Sequence, residues 1–319
     1  MTRQAGPRQA GPRQAGLTLV ELLIALVLGL LVVLAAGTVL VYANSSFAST
    51  AQAAAIDDGG RFALELIARS ARQTAFRNLD REDAAELADT APARIGGLDA
   101  ATLTRDGAGM DDPRDGAVNG SDVLALRFAG SGDGPDGDGS VLSCAGFSVG
   151  AQEDGWSVFY VATSSTGTPE LRCKYRADTG WSADAVVGGV DSFQVLYGLD
   201  TDTPPDGLAN QFVRATDIAA LDAAMVPVGD TPAELEQDQH RRSAWKRVAS
   251  LKVALLWHGR ARAGADRALV QHALFGQGYV AQAPADQGST IREADLHDTL
   301  RYRERRLFSS TITLRNSPH

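Results

Sequence analysis

The apolar residues of this chain are concentrated in one uninterrupted run near its N-terminus. From Leu22 to Ala43 the sequence has 22 residues without a charge. At about 1.5 Å per residue, a helix of this length extends roughly 33 Å, which is enough to cross the hydrocarbon core of a bilayer. The pattern therefore predicts a membrane-spanning helix over residues 17–43.

The segment before this helix is repetitive and basic. Residues 3–16 repeat the unit RQAG with intervening prolines, and they contain three arginines but no acid. No basic residue follows the apolar run until Arg61. Because the cytoplasmic flanks of membrane helices are enriched in Lys and Arg, residues 1–16 are expected in the cytoplasm and the rest of the chain on the opposite side of the membrane.

Beyond the apolar run, residues 44–79 show the pattern of an amphipathic helix. Phe62, Leu66 and Ile67 recur at helical spacing on one side, while charged residues occupy the other. The apolar side is expected to lie on a globular domain. Glycine weakens a helix by about 1 kcal/mol relative to alanine, so the pair Gly59-Gly60 predicts a bend or a locally melted turn.

Residues 80–319 predict a β-rich head. Apolar residues alternate with polar ones in five runs, at Val123–Phe128, Trp156–Ala162, Phe193–Leu199, Leu251–Trp257 and Phe308–Leu314. Their order along the chain suggests one antiparallel sheet packed on the helix, and so an α+β fold. Long loops are expected around these strands, at 80–120, 130–140, 200–244 and 259–304, with short helices within 217–240.

These patterns leave three interpretations of the N-terminal helix open. The first is a cleaved secretory signal, although 22 apolar residues exceed the usual length of about 7–15. The second is a plain membrane anchor, in which case Glu21 needs an explanation, since an acid inside an apolar helix costs about 2–3 kcal/mol. The third is a retained helix whose acid contacts another molecule.

The residues at the start of the helix favour the third interpretation. The sequence Gly16-Leu17-Thr18-Leu19-Val20-Glu21, with a basic leader before it and an apolar helix after it, resembles the class III signal of type IV prepilins. The resemblance implies that a prepilin peptidase cleaves after Gly16 and methylates Leu17, so that the helix is retained. It also implies that Glu21 pairs with the Leu17 ammonium of a neighbouring subunit. This chain has Leu17 where the family usually has Phe.

Three internal stretches narrow the resemblance to the PilW-type minor pilins, at Gly60–Glu65, Val190–Asp200 and Arg306–Asn316. The family implies a type IV pilin-like fold, with a long N-terminal helix on an antiparallel sheet. It implies a structural subunit, not an enzyme, that helps to initiate pilus assembly and supports twitching motility, adhesion or DNA uptake. The implied partners are other major and minor pilins, the prepilin peptidase and the assembly platform of the inner membrane.

The same resemblance implies a single-pass inner-membrane protein whose head lies in the periplasm and which enters the pilus fibre, at its tip. A minor pseudopilin of a type II secretion system would share every N-terminal feature and remains an alternative. A membrane-anchored periplasmic enzyme is a second alternative, but the histidines show no H-E-x-x-H spacing.

The charge balance makes nucleic acid an unexpected partner. Asp and Glu number 39 against 30 Lys and Arg, which gives a net charge of −9. Proteins that bind the phosphate backbone instead gather Lys and Arg. A basic cluster near the C-terminus is expected to form a solvated face or to contact acidic neighbours; it comprises Arg301, Arg303, Arg305 and Arg306.

The two cysteines of the chain are Cys144 and Cys173. An exported head meets an oxidising compartment, so a disulfide that encloses about 30 residues is expected. The alternative is a pair of buried thiols.

Two acidic loops have the oxygen-rich composition that Ca²⁺ prefers. Asp200, Asp202 and Asp206 follow a predicted strand directly and are the stronger candidate for a calcium site. The weaker candidate comprises Asp133, Asp136 and Asp138. Neither loop continues with the Glu that closes an EF-hand, and the alternative role of both is turn formation by Asp and Gly. No other cofactor is expected.

Overall fold

The computed structural model describes residues 16, 18–74, 90–134, 136–262 and 270–314. The chain divides into two compact units, Met1–Ala51 and Gln52–His319.

The first unit consists, in its described part, of the beginning of helix α1, which spans Leu19–Gln73. All side chains from Thr18 to Ala51 are exposed, the large apolar ones included. The most apolar window of 18 residues has a mean hydropathy of 3.0. Among the described residues, α1 is the helix that is long and apolar enough to span a membrane. Leu17, the first residue of the predicted span, lies outside the described residues.

In the second unit, α1 continues from Gln52 to Gln73 and presents a narrow face of small and apolar residues to the rest of the unit. Ile56, Gly60, Ala63, Ile67 and Ala71 are all buried, and their spacing of three or four residues places them on one side of the helix. Ile67 of the predicted apolar side is therefore used for packing, whereas Phe62, predicted to lie on the same side, is exposed. The helix was predicted to continue to residue 79, but it ends at Gln73, and residues 75–80 lie outside the described part.

The predicted bend at Gly59-Gly60 is wrong, because α1 is helical through both residues. The two glycines instead allow aromatic rings to approach the helix closely. A Cβ atom added to Gly59 would lie 2.3 Å from the Trp257 ring, and one added to Gly60 would lie 2.5 Å from the Phe308 ring. Packing against these two rings compensates for the weak helix propensity of the glycines.

The described part of the second unit contains two main sheets. The first sheet has five antiparallel strands that follow one another in chain order. These strands are β1 (Ile95–Leu98), β2 (Val123–Ala129), β3 (Asp154–Thr163), β4 (Pro169–Ala177) and β5 (Gly180–Gly188).

The second sheet has four antiparallel strands in the spatial order β11-β8-β6-β7. They are β6 (Val190–Leu199), β7 (Gln211–Val213), β8 (Val248–Arg262) and β11 (Arg303–Thr313). A further antiparallel pair is formed by β9 (Gln271–Ala273) and β10 (Thr290–Arg292). Strand β6 is buried at all ten of its positions, so it lies at the centre of the unit.

The five strands predicted from alternation are all present, and the α+β class is confirmed. The prediction of a single sheet is wrong, because β2 and β3 belong to one sheet and β6, β8 and β11 to another. Strands β4 and β5 were missed. Strand β4 does alternate, since Leu171, Cys173 and Tyr175 lie between charged residues, so its pattern was present in the sequence. Strand β5 begins and ends with glycine, which weakens the strand pattern.

Three short helices lie in regions where the sequence predicts loops or short helices. Helix α2 spans Ala215–Ala224, α3 spans Pro232–Arg242 and α4 spans Gln277–Gln282. The start of α3 follows local sequence rules, since Thr231 caps it, Glu234 completes a capping box, and a proline occupies the first turn. The start of α2 combines a local contact with a distant one. The Arg214 backbone N–H donates to the Asp217 carboxylate, and the Asp99 carboxylate accepts hydrogen bonds from the backbone N–H groups of Ala215 and Thr216.

The main hydrophobic core lies where α1 and the inner faces of both sheets meet. Ile67 of the helix, Phe159 of the first sheet and Phe193 of the second belong to it and are fully buried. Asp122 also links the two sheets, since its carboxylate accepts hydrogen bonds from the backbone N–H groups of Ala100 and Val195 at 3.0 and 2.9 Å. Burial raises the pKa of Asp122 well above its usual range.

The outer face of each sheet is covered by a segment that the sequence predicts as a loop. Ala101, Leu103 and Met110 pack on the first sheet, against a cluster that includes Val158 and Tyr160. On the second sheet, Leu274, Ile291 and Leu296 pack on Ala254 and Leu256 of β8. The predicted loops 80–120 and 259–304 therefore contribute apolar layers of their own.

We expect Gly60→Val to destabilise the second unit by about 1–3 kcal/mol, because the added side chain would overlap the Phe308 ring. The measurement is the urea midpoint of the full-length protein in detergent. Gly37→Val is the control, since an added Cβ at that helical glycine meets no atom within 4 Å. An unchanged midpoint for Gly60→Val would contradict the tight packing of α1 on the head.

Candidate functional site

The first turn of α1 is organised by two side chains that hydrogen-bond each other's backbone. The Thr18 backbone N–H and hydroxyl donate to the Glu21 carboxylate at 2.9 and 3.0 Å, and the Glu21 backbone N–H donates to the Thr18 hydroxyl at 3.3 Å. This reciprocal arrangement is a capping box, which satisfies N–H groups that a helix start leaves without partners. Glu21 is therefore held at the positive end of the helix dipole.

The predicted cleavage site directly precedes this turn. Gly16 is exposed, and a Cβ atom added to it would meet no atom within 4 Å. Leu17, the predicted site of methylation, lies outside the described residues. Cleavage after Gly16 would leave a new α-amino group one residue before Thr18, and so place a cation at the start of a helix whose first acid is Glu21. The cleavage and methylation of these residues stay predictions.

The two cysteines are joined by a disulfide between Cys144 and Cys173, with their Cα atoms 5.9 Å apart. Cys144 lies in the connection between β2 and β3, and Cys173 lies on β4. Beside the bridge, the Phe147 ring stacks on Tyr175 with centroids 5.1 Å apart. A cross-link over a sequence separation of 29 residues contributes about 3–4 kcal/mol in the chain-entropy model, so the bridge fixes the connection to the sheet.

The basic residues near the C-terminus do not form one solvated face, because Arg305 is buried. The other half of that prediction, contact with acidic neighbours, describes three of the four. Arg305 pairs with Asp191 and Glu293, Arg306 pairs with Asp57 of α1, and Arg301 pairs with Asp298. Arg303 donates a hydrogen bond to the Thr299 carbonyl. Hydrogen bonds from Arg306 to the Asp57 carboxylate raise the pKa of Arg306.

The contacts of Arg305 form a buried charge network that the sequence pattern did not reveal. Its Nε donates to Asp191 at 2.8 Å, and one of its terminal nitrogens donates to both oxygens of Glu293 at 2.7 and 2.8 Å. His258 Nδ1 lies 2.8 Å from the other oxygen of Asp191. Four separate segments meet here, since Arg305 of β11 joins Asp191 of β6 and Glu293 beside β10, and His258 of β8 contacts Asp191. Loss of one partner in such a network costs about 3–5 kcal/mol, so it holds these segments together.

The acidic loop after β6 brings together the three carboxylates of the calcium prediction. Oxygen atoms of Asp200, Asp202 and Asp206 lie within 4.8 Å of one another. Asp200 is buried, whereas Asp202 and Asp206 are exposed. Oxygen ligands on a loop are the donor set that Ca²⁺ prefers, so the residue types fit a calcium ion.

The same carboxylates also stabilise the turns of this loop by accepting hydrogen bonds from its backbone. The backbone N–H groups of Asp202 and Gly207 donate to Asp200 at 3.0 and 2.7 Å, and that of Leu208 donates to Asp206 at 2.8 Å. Burial opposes the ionisation of Asp200, but these backbone donors outweigh it, and the pKa of Asp200 is lowered. The geometry therefore accounts for the aspartates without a metal, and the calcium site stays a prediction.

The other acidic loop places its residues apart from one another. Asp138 accepts hydrogen bonds from the hydroxyl and the backbone N–H of Ser140 at 2.6 and 2.9 Å, and these bonds lower the pKa of Asp138. Among the described residues, Asp133, Asp136 and Asp138 do not form a group with the spacing of a metal site.

The connection between β2 and β3 contains a short motif that some hydrolases use. Residues 146–150 spell G-F-S-V-G, which is a literal G-x-S-x-G. In a nucleophile elbow this motif joins a strand to a helix. Here Ser148 lies in the connection between β2 and β3, with an isolated bridge to Leu142 and no helix after it before β3 begins.

Lys174 on β4 is a second feature that the sequence did not single out. Its side chain is buried, and its Nζ has no hydrogen-bond partner among the residues that the structure describes. The ammonium lies 5.7 Å from the centre of the Trp181 ring. Burial lowers the pKa of Lys174, while the nearby Asp111 and Asp106 act in the opposite direction.

Two protein-family models match this chain. Residues 158–316 match the family described as type IV pilus-assembly protein W, and residues 11–37 match the prokaryotic N-terminal methylation motif. None of the curated proteins compared with the chain matches it. A type IV-like pilin from Thermus thermophilus is a solved structure with 13% sequence identity and a TM-score of 0.39, over 82% of this chain and 98% of that protein.

If the loop after β6 binds Ca²⁺, we expect the ion to raise the melting temperature of the full-length protein in detergent, because a ligand at about 100 times its Kd adds roughly 2.7 kcal/mol to the stability. Asp202→Asn should abolish the rise, while Asp178→Asn, at an exposed aspartate of the β4–β5 turn, should preserve it. A melting curve that Ca²⁺ does not shift would leave the three aspartates with turn formation alone.

Proposed function

Because this chain is a PilW-like type IV pilin, we propose that it is a minor pilin of the type IV pilus that helps to initiate fibre assembly. The observation that carries the proposal is the start of α1, where one acid held in a capping box is followed by an exposed run without charge from Leu22 to Ala43. The head has no catalytic role in this proposal.

The first step is processing at the membrane. A prepilin peptidase cleaves after Gly16 on the cytoplasmic side and methylates the new N-terminus at Leu17. The match of residues 11–37 to the methylation motif supports this step. The basic leader supports its orientation, since the arginines before the apolar run hold residues 1–16 on the cytoplasmic side.

The processed chain is a single-pass inner-membrane protein with its head in the periplasm. Leu22 to Ala43 is long enough to cross the membrane. The Cys144–Cys173 disulfide fits an oxidising compartment and not the cytosol. The head therefore folds and oxidises outside the cytoplasm while the helix keeps it attached.

Assembly into the fibre exchanges lipid for other pilin helices around the same apolar side chains. In that setting Glu21 pairs with the methylated ammonium of Leu17 on a neighbouring subunit. Two unit charges about 4 Å apart attract by about 1 kcal/mol in water but by roughly 4 kcal/mol at an effective dielectric constant near ~20. The pair therefore has its largest effect inside the apolar bundle, and it sets the axial position of the incoming subunit.

The partners in this proposal are the major pilin, other minor pilins, the prepilin peptidase and the inner-membrane assembly platform. A minor pilin at the tip of the fibre supports twitching motility, adhesion and DNA uptake through assembly. Direct binding of nucleic acid is not part of the proposal, because Arg301, Arg305 and Arg306 are paired with acids.

We expect the mature protein to begin with N-methyl-Leu17. Intact mass and N-terminal sequencing of the protein purified from membranes measure this directly. Gly16→Leu, which places a large side chain at the cleavage residue, should leave the leader attached. A mature chain that begins at Asn44 would show that the helix is discarded as a secretory signal, and the proposed function would then be wrong.

We expect Glu21→Gln to lower incorporation of this subunit into pili by about tenfold or more, because removing one charge of a buried pair costs about 3–5 kcal/mol. Glutamine at this position still accepts the hydrogen bonds of a capping box, so the helix start is preserved. Glu21→Leu removes both the charge and the cap. The amount of the subunit in sheared pili, relative to the amount in membranes, is the measurement.

Comparison of Glu21→Gln with Glu21→Leu distinguishes a role of Glu21 in assembly from a role in helix capping. Normal incorporation of Glu21→Gln together with failure of Glu21→Leu would mean that Glu21 acts only as a helix cap. The same strains also test the pseudopilin alternative. Loss of type II secretion with intact pili and twitching would assign the chain to a secretion system and not to the pilus.

A further inference from the structure

The outer edge of β11 presents unpaired backbone groups along most of the strand. In the antiparallel pairing with β8, the Leu314 backbone N–H donates to the Ala249 carbonyl, and the register continues through Ile312–Leu251 and Phe308–Leu255. In an antiparallel pair, every second residue forms backbone hydrogen bonds with the partner strand. Since Leu314 is one of these residues, the other even-numbered residues of β11 also bond to β8. The backbone groups that point away from the sheet are those of Leu307, Ser309, Thr311 and Thr313.

From Leu307 onward, this edge has none of the features that usually protect a sheet edge; the bulge and the charged residues of β11 lie before that point. Within the part of the chain that the structure describes, the four outward-pointing residues make no hydrogen bond on their free side. From Leu307 to Leu314 the strand contains no charge and no proline. The other sheet edges are the short strands β1 and β7 and the glycine-bounded β5. A long, uncharged and β-prone edge is a template for another strand.

A groove runs beside this edge, between β11 and the adjacent side of α1. Its volume is about 400 Å³. Leu64, Ala68 and Ile312 supply apolar lining, while Arg61, Glu65 and Arg72 supply charge. An extended segment that pairs with β11 would therefore direct alternate side chains against the helix.

The charges of the groove select the kind of segment that fits. Glu65 is paired with Arg72 at 3.3 Å. Arg61 has no ion pair among the described residues and is exposed, so the groove has an excess of positive charge. An acidic side chain on the incoming strand would complement it.

Among the described residues, the long edge strands offer no acid that is free of a hydrogen bond, which argues against a second copy as the occupant. Strand β11 has no acid from Leu307 onward. Strand β5 has one, Asp184, and its carboxylate already accepts a hydrogen bond from the Tyr175 hydroxyl at 2.7 Å. The strand that fits therefore belongs to a different protein.

We propose that the outer edge of β11 receives an edge strand from the head of a different pilin. The backbone of that strand pairs with the free groups of Leu307, Ser309, Thr311 and Thr313. Its side chains place apolar groups on Leu64 and Ala68 and a carboxylate beside Arg61. This inference rests on the proposed function, and it adds a contact between heads to the contact between helices.

The test uses the full-length protein in cells that assemble pili, with a photo-activated cross-linking amino acid in place of Thr311. We expect one major cross-linked product, with another pilin, at a peptide that contains an acid. The same amino acid in place of Asp178, at the exposed β4–β5 turn, should not give this product.

Ser309→Pro tests the backbone pairing, because it removes an outward-pointing N–H while β11 keeps its hydrogen bonds to β8. Combined with the cross-linker at residue 311, it should lower the product about fivefold or more. Ser309→Ala, which keeps the N–H, should leave the yield unchanged. Formation of the Cys144–Cys173 disulfide, read on a non-reducing gel, checks that each variant folds.

Arg61→Glu tests the charge, and it should lower the cross-linked product about threefold or more. Arg69→Glu is the matched control, since Arg69 is exposed on the same helix and does not line the groove. An acid-to-arginine change in the cross-linked peptide of the partner should restore the yield with Arg61→Glu.

Three results would overturn the inference: no product, a product only with a second copy or a protein other than a pilin, or a product that Ser309→Pro does not change. The N-terminus of the mature chain and the effect of Glu21→Gln are measured in the same cells. If methyl-Leu17 and dependence on Glu21 are found while the edge does not cross-link, the inference fails and the proposed function stands. If neither is found, the proposed function itself fails.

Discussion

The apolar side chains of the first unit have no partner within the part of the chain that the structure describes. From Leu22 to Ala43 they are exposed along the whole helix. Water is a poor solvent for such a surface, since each fully buried Leu or Val side chain gains about 1.5–3 kcal/mol. The helix therefore needs lipid or other apolar helices around it, and both a membrane anchor and a fibre subunit satisfy this requirement.

The need of this helix for an apolar environment also explains why the surroundings of Glu21 matter. In a single chain its carboxylate is part of a capping box with Thr18. In a bundle of apolar helices the same carboxylate would be an uncompensated charge unless a cation lies close to it. The amine released by cleavage after Gly16 would be such a cation, which links the processing step to the assembly step.

In the second unit, several buried charged groups are satisfied by specific partners. Asp191, Arg305 and Glu293, all of them buried, satisfy one another in a charge network. The aspartates of the loop after β6 accept hydrogen bonds from backbone N–H groups nearby. By contrast, within the described part of the chain the outer edge of β11 keeps free backbone donors and acceptors from Leu307 to Thr313, and the proposed contact with another head rests on them.

Local patterns in the sequence predicted the features that depend on neighbouring residues. The membrane-spanning helix and its orientation were predicted from the uncharged run, the basic leader and Glu21. This was possible because membrane insertion responds to composition over about twenty residues. The five alternating strands were also found, since alternation reflects one buried face of each strand. The presence of two cysteines and an export signal was enough to predict the bridge between Cys144 and Cys173.

Tertiary structure decided the features that depend on distant residues. The strand order β11-β8-β6-β7 and the separation into two sheets place residues together that are far apart in the chain. Arg305 is buried because its acids come from β6 and from the segment beside β10. Gly59 and Gly60 stay helical because the rings of Trp257 and Phe308 pack on them. In each case the deciding energy comes from a contact across the fold, which propensity and periodicity along the chain do not contain.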